Sequence, residues 1–320
     1  MPLSKVVIVQ WAPEFHDPGA GVRKAERAIA EAGERGASLV VFPETWLQGY
    51  PYWASLSVRD PRFAWFRRDL FANAIELDGA EVGALRKAAA GAGCTVVIGV
   101  HERAGGTIHN TQLFIGSDGS LLGAHRKLVP TTTERLVWGM GDGSDIAAYD
   151  TPVGRLGGLI CFEHMMPLAR YALCSLGVQV HAGVWHGHPV IDGWLDACTR
   201  QLAFENGCFV VVARECMSVD RLSHRFPDMS DEPGRWFAHG GSAVISPDGK
   251  YLAGPVFDSE TLLEAEIDLG AIADTKWWYD GVGHYSRPDV FSLRWDRSQK
   301  LPVRDADEDI DITKAFHRFP

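Results

Sequence analysis

The sequence predicts an α/β protein: an α-β-β-α sandwich of two mixed sheets flanked by helices. Three observations carry that expectation. Short β-branched runs recur along the chain with helical stretches between them. Both halves show this alternation, and no linker separates them. Turn pairs such as Asp118-Gly119 fold neighbouring runs into antiparallel hairpins, a departure from the strict strand-helix alternation that a barrel demands.

In chain order, KVVIVQ at 5–10 reads as a strand and a helix is expected from Val22 to Glu34. Val22, Ala25, Ile29 and Ala32 share one face of that helix, suited to packing on a sheet, and Gly36 can supply the left-handed stop. SLVVF, ending at Phe42, completes a β-α-β unit. CTVVIGV, NTQLFIG and SLLGAHR follow as strands, the last two joined through Asp118-Gly119, so the sheet becomes partly antiparallel. In the second half RLGGLI is a strand, Pro167 can start a helix, VQVHAGV is a strand and Trp194 to Asn206 is helical. CFVVVA, GGSAVIS and KYLAGPV are the final strands, with Pro247-Asp248-Gly249 turning between the last two.

A chain of 320 residues, 46% apolar and 22% charged, has the balance of a soluble globular protein and enough apolar material for one continuous core. Residues 1–295 are read as a single catalytic domain. Residues 296–320, which include the charged run RDADEDIDITK, are read as a solvated tail or an oligomer contact. The formal charge of −10 repels phosphate backbones, and no Lys/Arg run interleaved with aromatics offsets it, so nucleic acid is not an expected partner. No run of about eighteen apolar residues is present to span a membrane. The opening MPLSKVVIVQW lacks the pattern of a secretory signal, so the expected location is cytoplasmic. Cys94, Cys161, Cys174, Cys198, Cys208 and Cys216 form no CxxC pair and fit reduced thiols.

Three reactive side chains stand directly after apolar strands: Glu44 after SLVVFP, Lys127 after SLLGAHR and Cys161 after GRLGGLI. Carboxyl ends of strands are where α/β sheets gather ligand-binding groups. Singly, each has an ordinary explanation: an acid as a turn residue, a lysine as a solvated charge, a cysteine as a small core hydrophobe. Together they form a chemical set. A free thiol titrates at about 8.5 and needs a neighbouring cation or base to favour its thiolate, and Lys127 and Glu44 offer both. Twelve histidines leave a Cys-His arrangement open as a rival.

FPETWLQGYPYW at 42–53, HRKLVPTTTERLVWGMGDGS at 125–144 and CFEHMMPLAR at 161–170 resemble signature blocks of the nitrilase superfamily, in particular its true nitrilase branch. The likeness continues through FENGCFVV, GGSAVISPDGKYLAGP and GHYSRPDVF, to about Trp295. The resemblance implies an α-β-β-α subunit and a Glu-Lys-Cys triad matching Glu44, Lys127 and Cys161. It adds a second glutamate at Glu134, which holds Lys127 or the substrate. It implies hydrolysis of a small-molecule nitrile by water to a carboxylic acid and ammonia, with no metal or organic cofactor. Amidase or nitrile/cyanide hydratase chemistry on the same residues is the alternative. Homo-oligomers built from dimers that extend into spirals are implied as well. The residue after the nucleophile, usually Trp in this branch, is Phe162 here, so the pocket differs while the Phe162 N–H still serves developing negative charge.

The resemblance further implies that the loop with Trp185 and His186 borders the substrate pocket; an ordinary loop is the alternative. Tyr50 and Trp53 either line an apolar pocket near Glu44 or pack in the core. His186-Gly-His188 lacks the further ligands of a metal set, so no metal is expected. GMGDGSD lacks the Gly-Lys-Ser/Thr ending of a phosphate loop and reads as a turn. Glu163 and Glu205 read as salt-bridged structural charges.

Overall fold

The computed structural model describes residues 3–223 and 236–300. Its elements run β1 (Ser4–Gln10), α1 (Pro18–Glu34), β2 (Leu39–Val41), α2 (Pro61–Asn73), α3 (Ala80–Ala92), β3 (Thr95–Ala104), β4 (Thr107–Ile115), β5 (Leu121–Arg126), β6 (Ala148–Thr151) and β7 (Gly154–Ile160). There follow α4 (Pro167–Ser175), β8 (Val180–Trp185), α5 (Asp192–Asn206), β9 (Phe209–Arg214), β10 (Cys216–Ser218), α6 (Val219–Ser223), β11 (Trp236–Ile245), β12 (Tyr251–Phe257), β13 (Thr261–Ile267) and α7 (Ala271–Trp278).

Among the described residues the strands form a six-stranded sheet, ordered β13-β1-β2-β3-β4-β5, and a seven-stranded sheet, ordered β10-β11-β9-β8-β7-β6 with β12 paired to β11. Each sheet has a parallel centre, β1-β2-β3 in one and β7-β8-β9 in the other. Antiparallel strands flank both centres. The expected sandwich of two mixed sheets is therefore the observed one.

Side-chain alternation along the strands explains the layers. Val6, Ile8, Leu39, Val41, Val97 and Phe114 of the first sheet share one buried cluster with Leu156, Ile160, Ala182 and Val184 of the second. The alternate residues Val7, Val9, Val40, Ile98 and Leu113 pack on Ala25, Ile29 and Ala32 of α1 and Leu85 of α3. Helix α5 adds Leu195 and Leu202 to the first cluster, and Ala169 and Leu173 of α4 pack with Leu159. Gln112 Nε2 donates to the Ala182 carbonyl at 2.9 Å, a polar tie between the sheets.

Helix α1 begins a full turn before Val22. Asp17 caps it by accepting the Ala20 N–H at 2.9 Å, and Pro18 occupies its first turn, an entry signal that the apolar face alone does not reveal. Helices α2 and α3 and strands β6, β10 and β13 are not among the elements singled out from the sequence. Strand β13 pairs antiparallel with β1 along its length and completes the first sheet.

Most of the expected tail, residues 301–320, lies outside the described residues. Just before it, Trp295 Nε1–H donates to the Gly143 carbonyl at 3.0 Å and the Lys300 N–H donates to Asp142 at 2.8 Å, so this stretch lies along the body of the fold. No helix among the described residues is long and apolar enough to cross a membrane. The six cysteines are free thiols.

Strands β2 and β3 run parallel, and β5 shares their direction through two antiparallel pairings. Their carboxyl ends, with those of β7 and β8, deliver Glu44, Lys127, Cys161 and His186 to the same end of the sandwich.

Candidate active site

Glu44 lies in the tight turn after β2. The Gly99 N–H donates to the Pro43 carbonyl at 3.2 Å, and Thr45 adopts a left-handed φ of 47°. Contact with β3 is so close that a Cβ on Gly99 would lie 2.3 Å from the Thr45 nitrogen and 2.4 Å from the Pro43 oxygen. The fully buried Glu44 carboxylate accepts from Lys127 Nζ at 2.8 Å, Asn110 Nδ2 at 2.7 Å and the His186 N–H at 3.1 Å. Burial raises its pKa to about 6, with Lys127 opposing the rise and Glu134 adding to it.

Lys127 immediately follows β5, where its N–H donates to the Asn110 carbonyl at 2.8 Å. Its Nζ sits 2.8 Å from Glu44 Oε1 and 2.8 Å from Glu134 Oε2, and 5.5 Å over the Trp138 ring. Burial works to lower the lysine pKa, but Cys161, Glu134 and Glu44 outweigh it and hold the group well above its ordinary value. Lys127 is thus an ammonium. Glu134 belongs to a short 3-10 turn, Thr132–Leu136, capped by Thr131. Its carboxylate accepts from the Thr131 N–H at 2.6 Å and from the Tyr50 hydroxyl at 2.5 Å as well as from Lys127.

Cys161 follows β7 and opens a 3-10 turn, Cys161–Met165. Its φ is 52°, a left-handed conformation that costs a residue with a Cβ about 1–3 kcal/mol. Surrounding contacts hold the conformation: His164 Nδ1–H donates to the Cys161 carbonyl at 2.6 Å, and the Phe162 N–H is directed at the sulfur. One side-chain atom each from Glu44, Glu134 and Cys161 falls within 4.8 Å of the others. These atoms could serve as metal ligands, but the Lys127 ammonium, in contact with both carboxylates, supplies the cation there.

The sequence offers Lys127 as a cation and Glu44 as a base, either of which can favour the thiolate. The environment instead pushes the Cys161 thiol well above its ordinary pKa, first through burial and then through Glu44, with Lys127 opposing. Two carboxylates already balance the one ammonium, so little positive potential remains for a resting thiolate. The arrangement favours a neutral thiol that ionises by giving its proton to a base, and Glu44 stands beside it in the same cluster.

The four expected pocket residues divide by position. The His186 ring packs 4.7 Å from Tyr50, whose hydroxyl reaches Glu134. Phe162 meets the edge of Trp185 at 6.1 Å. Trp185 is fully buried and stacks on His164, bracing the Cys161 turn. Trp53, the other aromatic with two readings, stacks on Phe66 within a core cluster. His186 Nδ1 accepts the His188 N–H and His188 Nδ1 accepts the Val190 N–H, so those ring nitrogens serve the loop.

Three residues around the site are not among the sequence candidates. Asn110 donates to Glu44 from inside β4, where it is buried, a placement the sequence does not reveal. Arg214, 1% exposed, donates to the carbonyls of His186 at 3.1 Å and His188 at 3.0 Å and pairs with Asp192 at 2.8 Å. Glu215 is fully buried against the Tyr52 hydroxyl, and burial raises its pKa to about 8. No local motif marks these last two.

A family model described as carbon-nitrogen hydrolase matches residues 5–276. The chain is 41% identical to nitrilase 2 of Arabidopsis thaliana over 312 residues, covering 93% of this chain and 90% of that protein. It is 41% identical to a bifunctional nitrilase/nitrile hydratase of Nicotiana tabacum, over 91% of this chain and 86% of the relative. Among solved structures it resembles a carbon-nitrogen hydrolase from Helicobacter pylori G27, with a TM-score of 0.72 and 21% identity over 90% of this chain and 97% of that one.

Proposed function

The chain belongs to the carbon-nitrogen hydrolase family, and from that premise we propose that it hydrolyses an organic nitrile to a carboxylic acid and ammonia, with Cys161 as nucleophile, Glu44 as proton carrier, and Lys127 held by Glu134 as charge stabiliser. The observation that carries this reading is the single buried cluster of Glu44, Lys127, Glu134 and Cys161.

A nitrile carbon is a weak electrophile, so attack must be coupled to protonation of the nitrogen. Glu44 takes the thiol proton as sulfur adds to carbon, then passes it to nitrogen, giving a thioimidate. Water adds to the thioimidate with Glu44 as base. Lys127 and the Phe162 N–H stabilise the tetrahedral intermediate. Its nitrogen leaves as ammonia, and a thioester remains on Cys161. A second water, deprotonated by Glu44, cleaves the thioester and restores the thiol. The sum is one nitrile and two waters to one acid and one ammonia.

The same tetrahedral intermediate can expel sulfur instead of ammonia and so release an amide. The name of the tobacco relative, which couples nitrilase with nitrile hydratase, favours such amide release as a second product. Tyr50, Phe162, Trp185 and His186 shape the substrate pocket in this reading. The protein works in the cytoplasm, in keeping with its free thiols. It acts as a homo-oligomer with a dimer as building block, extending into a spiral. The exposed Trp277, Trp278, Tyr285 and Phe291 support association.

A panel of aliphatic, arylaliphatic and aromatic nitriles and their matching amides, with ammonia and acid quantified, tests the reading. Acid and ammonia from nitriles, absent with Cys161→Ala, are expected. Turnover of the amides with inert nitriles would replace nitrilase with amidase, and activity retained by Cys161→Ala would remove the nucleophile.

A further inference from the structure

Glu163 lies two residues beyond Cys161 in the same 3-10 turn and is 1% exposed. Its carboxylate does not contact the Glu44, Lys127, Glu134 cluster. It reaches instead to the backbone on both sides of the site. Oε1 accepts the N–H of Leu128, the residue after Lys127, at 2.6 Å. Oε2 accepts the N–H of Ile160, the residue before Cys161, at 2.6 Å. Lys127 directly follows a strand of the six-stranded sheet and Cys161 directly follows a strand of the seven-stranded sheet. One carboxylate therefore joins the two sheets at the points where they present the ammonium and the nucleophile.

The carboxylate is itself anchored. His125 Nε2 lies 3.0 and 3.2 Å from its two oxygens, and His125 Nδ1 lies 2.8 Å from Asp145 Oδ1. Asp145 Oδ2 in turn accepts the Arg126 N–H at 2.9 Å, closing the chain of contacts back onto β5. An imidazole flanked by two carboxylates donates from both nitrogens only as the imidazolium. Burial works against that charge, but Glu163 and Asp145 prevail and raise the His125 pKa to about 10. The Glu163 carboxyl is held below its ordinary value: burial would raise it, but His125 and the two backbone N–H groups outweigh burial. The ionised, hydrogen-bonded form is thus the stable one on both partners.

We propose that Glu163, anchored by His125 and Asp145, is a positioning residue that fixes Lys127 and Cys161 relative to each other across the two sheets. The inference rests on the Glu-Lys-Cys reading of the site. It follows from geometry because Glu163 uses its acceptors on backbone and histidine, and its two main-chain partners directly adjoin the residues whose spacing sets the reaction. Catalysis depends on that spacing steeply, since misplacement of about 1 Å costs on the order of a hundredfold in rate. A group of this kind supports turnover while leaving substrate affinity nearly unchanged.

The test uses full-length Glu163→Gln and Asp145→Asn. The first removes the charge at nearly constant shape. The second, at a partly exposed residue, weakens the His125 anchor while leaving the Glu163 carboxylate itself in place. Near-ultraviolet circular dichroism gives the folded fraction, and kcat and KM on a nitrile that the wild type accepts are expressed per folded molecule. Expected is a fall in kcat of about 30-fold for Glu163→Gln, equal to about 2 kcal/mol, and a smaller fall in the same direction for Asp145→Asn, with KM within about threefold. A merely structural role lowers the folded fraction and leaves kcat per folded molecule unchanged, and that result overturns the proposal. So does a rise in KM at constant kcat. If Glu163→Gln yields no folded protein, Asp145→Asn decides by the same criteria. Wild-type protein inert toward nitriles and amides alike overturns the reading of the site itself, and this proposal with it.

Discussion

Glu44 Oε1 lies 2.8 Å from Lys127 Nζ, yet the glutamate pKa is raised to about 6. The ammonium alone would depress it. Burial dominates and nearby Glu134 adds to the rise, leaving a base matched to near-neutral conditions. In the proposed mechanism Glu44 accepts the thiol proton only when ionised, so protonation as pH falls through about 6 removes the base. We predict that kcat/KM rises with pH on a limb with an apparent pKa near 6 and that Glu44→Gln abolishes turnover. A pH-rate profile that is flat from about pH 5 to 7 would contradict this assignment.

Lys127 also determines the stability of the site. Its ammonium compensates two buried carboxylates that have no other cation within hydrogen-bond distance among the described residues. Lys127→Met keeps the bulk and leaves Glu44 and Glu134 facing each other without it. Removing one partner of a buried ionic set typically costs about 3–5 kcal/mol. We expect a loss of that size in denaturant unfolding, together with a fall in kcat of at least about a hundredfold from lost charge stabilisation. A variant as stable as wild type would mean that the two carboxylates share a proton at rest.

That Glu44, Lys127 and Cys161 come together was legible because each directly follows an apolar strand, and strand direction then brings the ends together. Asn110 was not, because a polar residue in a strand ordinarily faces solvent. Here NTQLFIG is an inner strand of the six-stranded sheet with one face turned to the other sheet, and Asn110 and Gln112 both bond inward from that face. Helix α2 was missed because its arginines and tryptophan interrupt the apolar pattern, leaving Phe63, Phe66 and Leu70 as its buried positions. Arg214 and Glu215 act from the end of β9 on a loop far away in sequence, a relationship that exists only in the folded chain. The protonation state of Cys161 is hidden for a similar reason: of the two aids the sequence offers, the cation Lys127 is already paired with Glu44 and Glu134, which leaves Glu44 as the base.

Gly99 offers a test of how the Glu44 turn is held. Its φ is unremarkable, so an alanine is not excluded by backbone strain. The obstacle is contact: the added Cβ would press within 2.3 Å of the Thr45 nitrogen and 2.8 Å of the Glu44 carbonyl carbon. The turn must then lift from β3 and carry the carboxylate with it. We predict that Gly99→Ala is less stable by about 1–3 kcal/mol and loses at least about tenfold in kcat per folded molecule. Wild-type kcat in a destabilised Gly99→Ala would show that the turn can move without displacing Glu44.

The loop at 186–188 is held by Arg214 and has one further connection that matters for chemistry, the His186 N–H to Glu44 Oε2 at 3.1 Å. Arg214 grips both flanking carbonyls, those of His186 and His188, through separate nitrogens of one planar guanidinium. The same group stays paired with Asp192. A lysine can keep the ion pair but cannot span two carbonyls in fixed geometry. Arg214→Lys therefore isolates the positional contribution from the charge. We predict that thermal melting shows a loss of about 1–3 kcal/mol from the unsatisfied carbonyls. In the pH profile, the limb assigned to Glu44 should move upward, because a carboxylate that loses an N–H donor binds its proton more tightly. A lower melting temperature with an unmoved limb would confine Arg214 to holding the loop and dissociate it from the base.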